Sequence, residues 1–210
     1  DAGNAIVLRQ RLLWRGIACE SVAVDPGQPV PREGDVYLLG GGEDAKQTAA
    51  VGELRDSGAL NDAVGRGAAA LGICAGYQLL GRTFLGVGGV PAQGLGLLDV
   101  ETGRLERRAV GNVLAQADAA LQLPGGEPVG DLIGFENHGG ATTLGPQARP
   151  LGRVEIGVGN GVPGGDGART EGAIQGRVVG TYLHGPALAL NPRLADLVLS
   201  SVCGPLGDLD

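Results

Sequence analysis

The sequence predicts an α/β domain, a three-layer α/β/α sandwich on a mostly parallel sheet, with a reactive cysteine held at one strand end. Three observations carry this expectation. Residues 36–39 are a continuous apolar run, as expected of a strand buried on both faces, 68–73 are a second short apolar run, and 178–183 read as the last strand. They are separated by helical stretches at 47–57 and 60–66, and the order β-α-β-α-β belongs to an open, doubly wound sheet that binds ligands at the C-terminal strand ends. Finally, Gly72-Ile73-Cys74-Ala75-Gly76 places a thiol between two glycines where an apolar run turns helical. A nucleophile elbow has this form, because small flanking residues permit the strained turn that projects the side chain above the sheet.

Taken in order, residues 5–16 carry apolar side chains at helical spacing with Gly16 as the stop. Residues 17–24 then read as a strand and 26–32 as a proline-punctuated loop. An α/β domain ordinarily opens on a strand, so a first strand is expected before residue 1 of what is otherwise a single domain over residues 1–210. Strand 36–39 ends in Gly40-Gly41-Gly42 followed by Glu43, where backbone can approach a ligand closely. After the elbow, residues 83–96 read as a glycine-rich loop, and 97–100 and 112–115 as short strands with Arg104, Arg107 and Arg108 between them. Glu136-Asn137-His138 precedes a turn at Gly139-Gly140. Strands are expected within 150–158 and 172–179 around the turn 159–167, and a last strand over 178–183 ends at His184-Gly185-Pro186. Asn191-Pro192 opens a closing helix over 193–202.

Composition narrows the function classes. Hydrophobic residues make up 43% and charged residues 19%, which suits a chain that buries a core. The net charge of -7, without a basic run, argues against a nucleic-acid footprint. No apolar stretch approaches the roughly 20 residues of a membrane span, so the expected location is the cytoplasm. The 3 cysteines, Cys19, Cys74 and Cys203, form no close-spaced pair, and neither a disulfide framework nor a metal site follows from them.

Cysteine acyl transfer needs a thiolate, a histidine that moves its proton, and donors for the tetrahedral oxyanion. At the start of a helix, Cys74 would have free N–H groups and the positive end of the macrodipole beside it, which favours the thiolate. Only 2 histidines exist to serve as base. His184 is favoured because it ends a buried strand, and His138 is expected to shape a nearby wall.

Gly72-Ile73-Cys74-Ala75-Gly76-Tyr77-Gln78 together with Thr181-Tyr182-Leu183-His184-Gly185-Pro186 resembles class I glutamine amidotransferases of the cobyric-acid-synthase-like branch. Asp1-Ala2-Gly3-Asn4, Gly134-Phe135-Glu136-Asn137-His138 and Asn191-Pro192 extend the match over nearly the whole chain. Within the branch the pattern is most similar to the GatD family, glutaminase subunits of the bacterial MurT/GatD lipid II isoglutaminyl synthase.

The resemblance implies a flavodoxin-like amidotransferase fold in which Cys74 attacks the side-chain amide of glutamine and His184 acts as base and then acid. It further implies an oxyanion hole from the Ala75 N–H and one of Gly40, Gly41 or Gly42, a glutamine pocket lined by Gln78, and Arg108 on the substrate carboxylate. Arginine suits that task because its fork binds a carboxylate bidentately. The implied partner is a MurT-like Mur ligase, which would bring ATP and Mg; this chain has no P-loop and no implied cofactor of its own.

Many relatives place a glutamate two residues after the histidine, where this chain has Pro186, so the third triad member is expected to be absent, replaced, or supplied by the partner, with Glu136 or Glu43 the first places to look inside this chain. Two other outcomes stay open at this point: the amidotransferase part of cobyric acid or cobyrinate amidation, and a non-catalytic flavodoxin-like interaction module.

Overall fold

The apolar stretch before Cys74 folds as the centre of a parallel sheet. The computed structural model describes residues 2–25, 27–41 and 44–207. In chain order its elements are α1 (Ala2–Leu13), β1 (Val36–Leu39), α2 (Asp44–Ser57), α3 (Ala59–Gly65), β2 (Ala69–Ile73), α4 (Ala75–Leu80), β3 (Thr83–Leu85), β4 (Pro91–Gln93), β5 (Val100–Ala117), β6 (Asp131–Leu144), β7 (Gly152–Ile156), β8 (Thr170–Glu171), β9 (Ala173–Gln175), β10 (Val178–Thr181), α5 (Ala187–Leu190) and α6 (Pro192–Cys203).

The first sheet has the order β1-β2-β10-β9. Its strands β1, β2 and β10 run parallel, and β9 closes the edge antiparallel. Every residue of β2 and β10 is buried, as expected of strands at the centre of a parallel sheet. On one side Leu71, Ile73 and Val179 pack with Leu188, Leu194 and Leu199 of the C-terminal helices. On the other, Ala70 and Val178 pack with Leu60, Tyr77, Leu80 and Tyr182. The mostly parallel sheet between helical layers is thus present. Arg11 of α1 holds Asp196 of α6 through two short bonds, Nε to Oδ1 at 2.7 Å and Nη2 to Oδ2 at 2.5 Å, which fixes the two helices to each other.

A second sheet, absent from the sequence expectation, has the order β4-β3-β5-β7-β8 with β6 paired to β5. It corrects several local expectations. Residues 83–96 are not a loop, since they contain β3 and β4, paired antiparallel. The two short strands expected at 97–100 and 112–115 are one strand of 18 residues, and Gly139-Gly140 lies inside β6 rather than at a turn. The expected strand 172–179 is divided between β9 and β10, and β10 ends at Thr181 rather than at residue 183. Long antiparallel strands with polar and glycine positions satisfy their backbone through the neighbouring strand, so their own side chains announce them weakly. Residues 17–24, expected as a strand, belong to no ladder, and Val22 and Val24 are largely exposed. Apolar composition alone does not make a strand when no partner edge takes its backbone groups.

Candidate active site

Cys74 directly follows β2, and its backbone adopts φ 55 and ψ -105, the one positive φ outside glycine among the described residues. A cysteine held in that region costs on the order of 1–3 kcal/mol and persists only where the surroundings over-determine it. Here they do so sterically. A Cβ on Gly76 would lie 2.1 Å from the Leu39 carbonyl oxygen, and one on Gly72 would lie 2.6 Å from the Gly76 carbonyl carbon. Helix α4 therefore rests against the ends of β1 and β2 at a distance only glycine allows, and the turn that carries the thiol has no room to relax.

The expected histidine lies close by in the topology. Strands β2 and β10 are parallel neighbours with Ile73 opposite Thr181, and the Cys74 N–H donates to the Thr181 carbonyl at 2.8 Å. Three residues further on, His184 forms an isolated bridge with Phe135 of β6: its N–H donates to the Phe135 carbonyl at 2.8 Å, and its ring Nδ1 lies 3.0 Å from the same oxygen. A carbonyl can only accept, so Nδ1 carries a proton, and in the neutral ring the lone pair lies on Nε2. Glu136, a candidate for the missing triad acid, is engaged elsewhere, with its Oε2 3.6 Å from His138 Nε2. It is buried and accepts from the N–H groups of Val158 at 2.8 Å and Gly159 at 2.9 Å. Glu43, the other candidate, and Gly42 lie outside the described residues. Gly41 is beside the thiol, since a Cβ on it would come within 3.7 Å of the Cys74 Cβ.

Burial raises the Cys74 pKa above the ordinary thiol value, against the opposing pull of the Ala75 N–H and the Arg108 charge. The expected thiolate at rest is therefore corrected: α4 has only six residues, and its N-terminus does not offset the loss of water. A thiol in this state needs a base to take its proton at the moment of attack.

Arg108 reaches this neighbourhood by a bulge. Register runs from Arg104 opposite Gly140 to Ala109 opposite His138, so residues 105–108 face the single residue Gly139. Such an insertion re-aims side chains, and here the Arg108 guanidinium is braced from the adjacent strand. Its Nε donates to Asn137 Oδ1 at 2.7 Å and its Nη2 to the Asn137 carbonyl at 3.0 Å. Gln78, one helical turn beyond Cys74, donates its Nε2 to the Tyr182 hydroxyl at 3.3 Å, and that hydroxyl lies 2.7 Å from Thr142 Oγ1.

His138 belongs beneath the site rather than in its mouth. Its ring stacks on Tyr182 at 3.7 Å between centroids and 9° between planes, and Nδ1 bonds the Gly140 carbonyl at 3.0 Å. Burial pushes its pKa down to about 4, so it is neutral near pH 7. The sequence did not single out Asn137 as a brace, the Phe135 carbonyl or Glu171. Glu171 is fully buried and pushed up to about 7 by burial. No signal short of strand pairing could have found it.

The chain is similar to known proteins. The CobB/CobQ-like glutamine amidotransferase domain matches residues 7–192. The GatD subunit of the glutamine-hydrolyzing lipid II isoglutaminyl synthase of Staphylococcus aureus (strain N315) is 35% identical over 205 residues, covering 97% of this chain and 78% of that protein. Cobyric acid synthase of Sphingopyxis alaskensis is 36% identical over 194 residues, covering 87% of this chain and 35% of its own length. Among solved structures, a glutamine amidotransferase from Thermotoga maritima superposes with a TM-score of 0.61 at 15% identity, covering 94% of this chain and 92% of that one. A second glutamine amidotransferase gives a TM-score of 0.58 at 21% identity, covering 94% and 93%. These two likenesses concern the fold.

Proposed function

We propose that this chain, which belongs to the CobB/CobQ-like glutamine amidotransferase family, hydrolyses glutamine at Cys74 and feeds the ammonia to a MurT-like ligase that amidates the D-glutamate α-carboxylate of lipid II. The observation that carries the chemistry is the sterically locked cysteine whose N–H is bonded to Thr181, three residues before a histidine whose Nδ1 is held by the Phe135 carbonyl. In this mechanism His184 Nε2 takes the thiol proton as Sγ attacks the glutamine amide carbon. The oxyanion is received by the Ala75 N–H and the backbone at Gly41 or Gly42. His184 then gives the proton to the departing amine, ammonia leaves, and water cleaves the glutamyl thioester to glutamate with His184 again as base. Arg108 holds the glutamine α-carboxylate and Gln78 lines the pocket. ATP and Mg belong to the ligase.

The acceptor is supported by the near full-length match to a GatD subunit, whereas the chain spans about a third of cobyric acid synthase. An exposed apolar face near His184 supports a partner at this site. Phe135, whose carbonyl holds His184, is 41% exposed, and Ile133 on the same face of β6 is 42% exposed. A ligase seated on this apolar edge would press on the backbone that orients the base and could bring it a carboxylate, which a carbonyl cannot replace as a stabiliser of the imidazolium. The test is to combine the chain with a MurT-like ligase, ATP, Mg, glutamine and lipid II, and to follow ammonia release and the mass of the lipid-linked product. Amidated lipid II that depends on Cys74 is the expected result; glutamine hydrolysis without amidation of lipid II would overturn the assigned acceptor.

A further inference from the structure

Glu171 is 0% exposed, yet only one of its carboxyl oxygens has partners. Oε1 accepts from Thr181 Oγ1 at 2.5 Å and from the Tyr182 N–H at 2.9 Å, while Oε2 is buried without a hydrogen bond. Burying an acid this way is costly, and a group retained at such cost calls for an explanation. Its place in the topology supplies one. Glu171 belongs to β8, on the second sheet opposite Gly152 of β7, and its side chain crosses to the end of β10 on the first sheet. The residue it grips there is the junction of the site. The Thr181 carbonyl accepts the Cys74 N–H at 2.8 Å, and its Oγ1 accepts the Leu183 N–H at 3.0 Å, where the chain leaves the strand toward His184. One threonine thus fixes the backbone of the cysteine by its carbonyl and the path to the histidine by its hydroxyl.

We propose that Glu171 and Thr181 form a positioning pair that sets Cys74 and His184 relative to each other, with the Glu171 carboxyl anchoring the Thr181–Tyr182 step from the second sheet. Neither residue touches glutamine. The role needs an acceptor oxygen at Oε1 and a hydroxyl on residue 181, and it does not need a negative charge. It rests on the glutaminase assignment above for its kinetic consequence and on geometry alone for its effect on the thiol.

The experiment compares wild type with Thr181→Val, Glu171→Leu and Glu171→Gln. It measures kcat and KM for glutamine in the ligase complex and, separately, the rate of Cys74 alkylation by iodoacetamide against pH. Thr181→Val and Glu171→Leu should lower kcat at least tenfold with KM within threefold, and should change Cys74 alkylation at pH 7 at least threefold. Glu171→Gln, which keeps an acceptor at the same place, should recover most of both losses. If Glu171→Leu does not fold, Thr181→Val and Glu171→Gln decide the matter. A folded Thr181→Val enzyme with unchanged kcat and alkylation overturns the pair, and so does a Glu171→Gln enzyme as impaired as Thr181→Val. If the wild-type complex releases no ammonia, the glutaminase assignment fails, and the alkylation profiles still decide the geometric role.

Discussion

The two sheets contribute to the site in opposite ways. The parallel sheet delivers Cys74 and His184 from strand ends, and it fixes the thiol by contact: Gly72 and Gly76 leave no space for another backbone path. The antiparallel sheet delivers Arg108, Asn137 and the Phe135 carbonyl from the middle of strands, and it fixes them by hydrogen bonds across one ladder with a bulge in it. Steric fixing is all-or-none, because packed atoms cannot give by an ångström. Fixing by hydrogen bonds is graded, since each bond contributes about 1 kcal/mol and can be lost alone. The two groups proposed to react are thus carried by the sterically locked sheet, and the arginine proposed to hold the glutamine carboxylate by the hydrogen-bonded one.

That contrast can be broken most severely at the thiol. Cys74→Ala should lower glutamine hydrolysis on the order of 10³-fold or more, as removal of a nucleophile does in triad enzymes. Cys19→Ser and Cys203→Ser, away from the strand ends, should leave ammonia release within twofold. Gly76→Ala tests the steric half of the comparison. Its Cβ would meet the Leu39 carbonyl oxygen at 2.1 Å, so the folded state should lose on the order of 3 kcal/mol, read as a lower urea midpoint. An unchanged midpoint would show that the elbow can relax after all.

On the hydrogen-bonded sheet the effects should be graded. Arg108→Ala should raise the KM for glutamine about tenfold with little change in kcat, a loss of about 1.4 kcal/mol of binding. Asn137→Ala, which removes only the side-chain half of the brace, should raise it about threefold. An equal effect from both would mean that Arg108 has no orientation of its own without the ladder.

The smallest expected effect is a pH signature of the two groups buried beneath the site. His138 falls from 6.5 to about 4 on folding, so the unfolded chain takes up a proton first; its contribution is present above pH 6.5 and lost as pH falls toward 4. Glu171 rises from 4.5 to about 7, so its contribution is present below pH 4.5 and lost as pH rises toward 7. Between the two unfolded values the slopes oppose, and wild-type stability should be nearly flat. His138→Gln should expose a stability that falls with pH and Glu171→Gln one that rises, each by about 1 kcal/mol per pH unit in urea titrations. Parallel profiles in all three proteins would show that the two groups are not shielded from water as described.

What the sequence determined by itself is what local chain chemistry encodes. Predominantly apolar runs identify β1, β2 and β10, of which β2 and β10 are buried throughout and β1 is half-buried, and Gly72 and Gly76 around a cysteine identify the elbow because no other residue fits so tight a turn. The likeness of those motifs to a family then pointed to Cys74, His184 and Arg108 as the expected site residues. The second sheet was largely missed, since residues 83–96 and 100–117 owe their strand form to partners that lie up to dozens of positions away. The state of the thiol was misjudged for a related reason: a helix N-terminus is visible locally, but the burial that outweighs it is a property of the whole packed domain. Only the tertiary structure put a carbonyl from Phe135 on His184, Asn137 on Arg108 and Glu171 under Thr181, because each of these bonds spans a pairing between strands that adjacent residues do not specify.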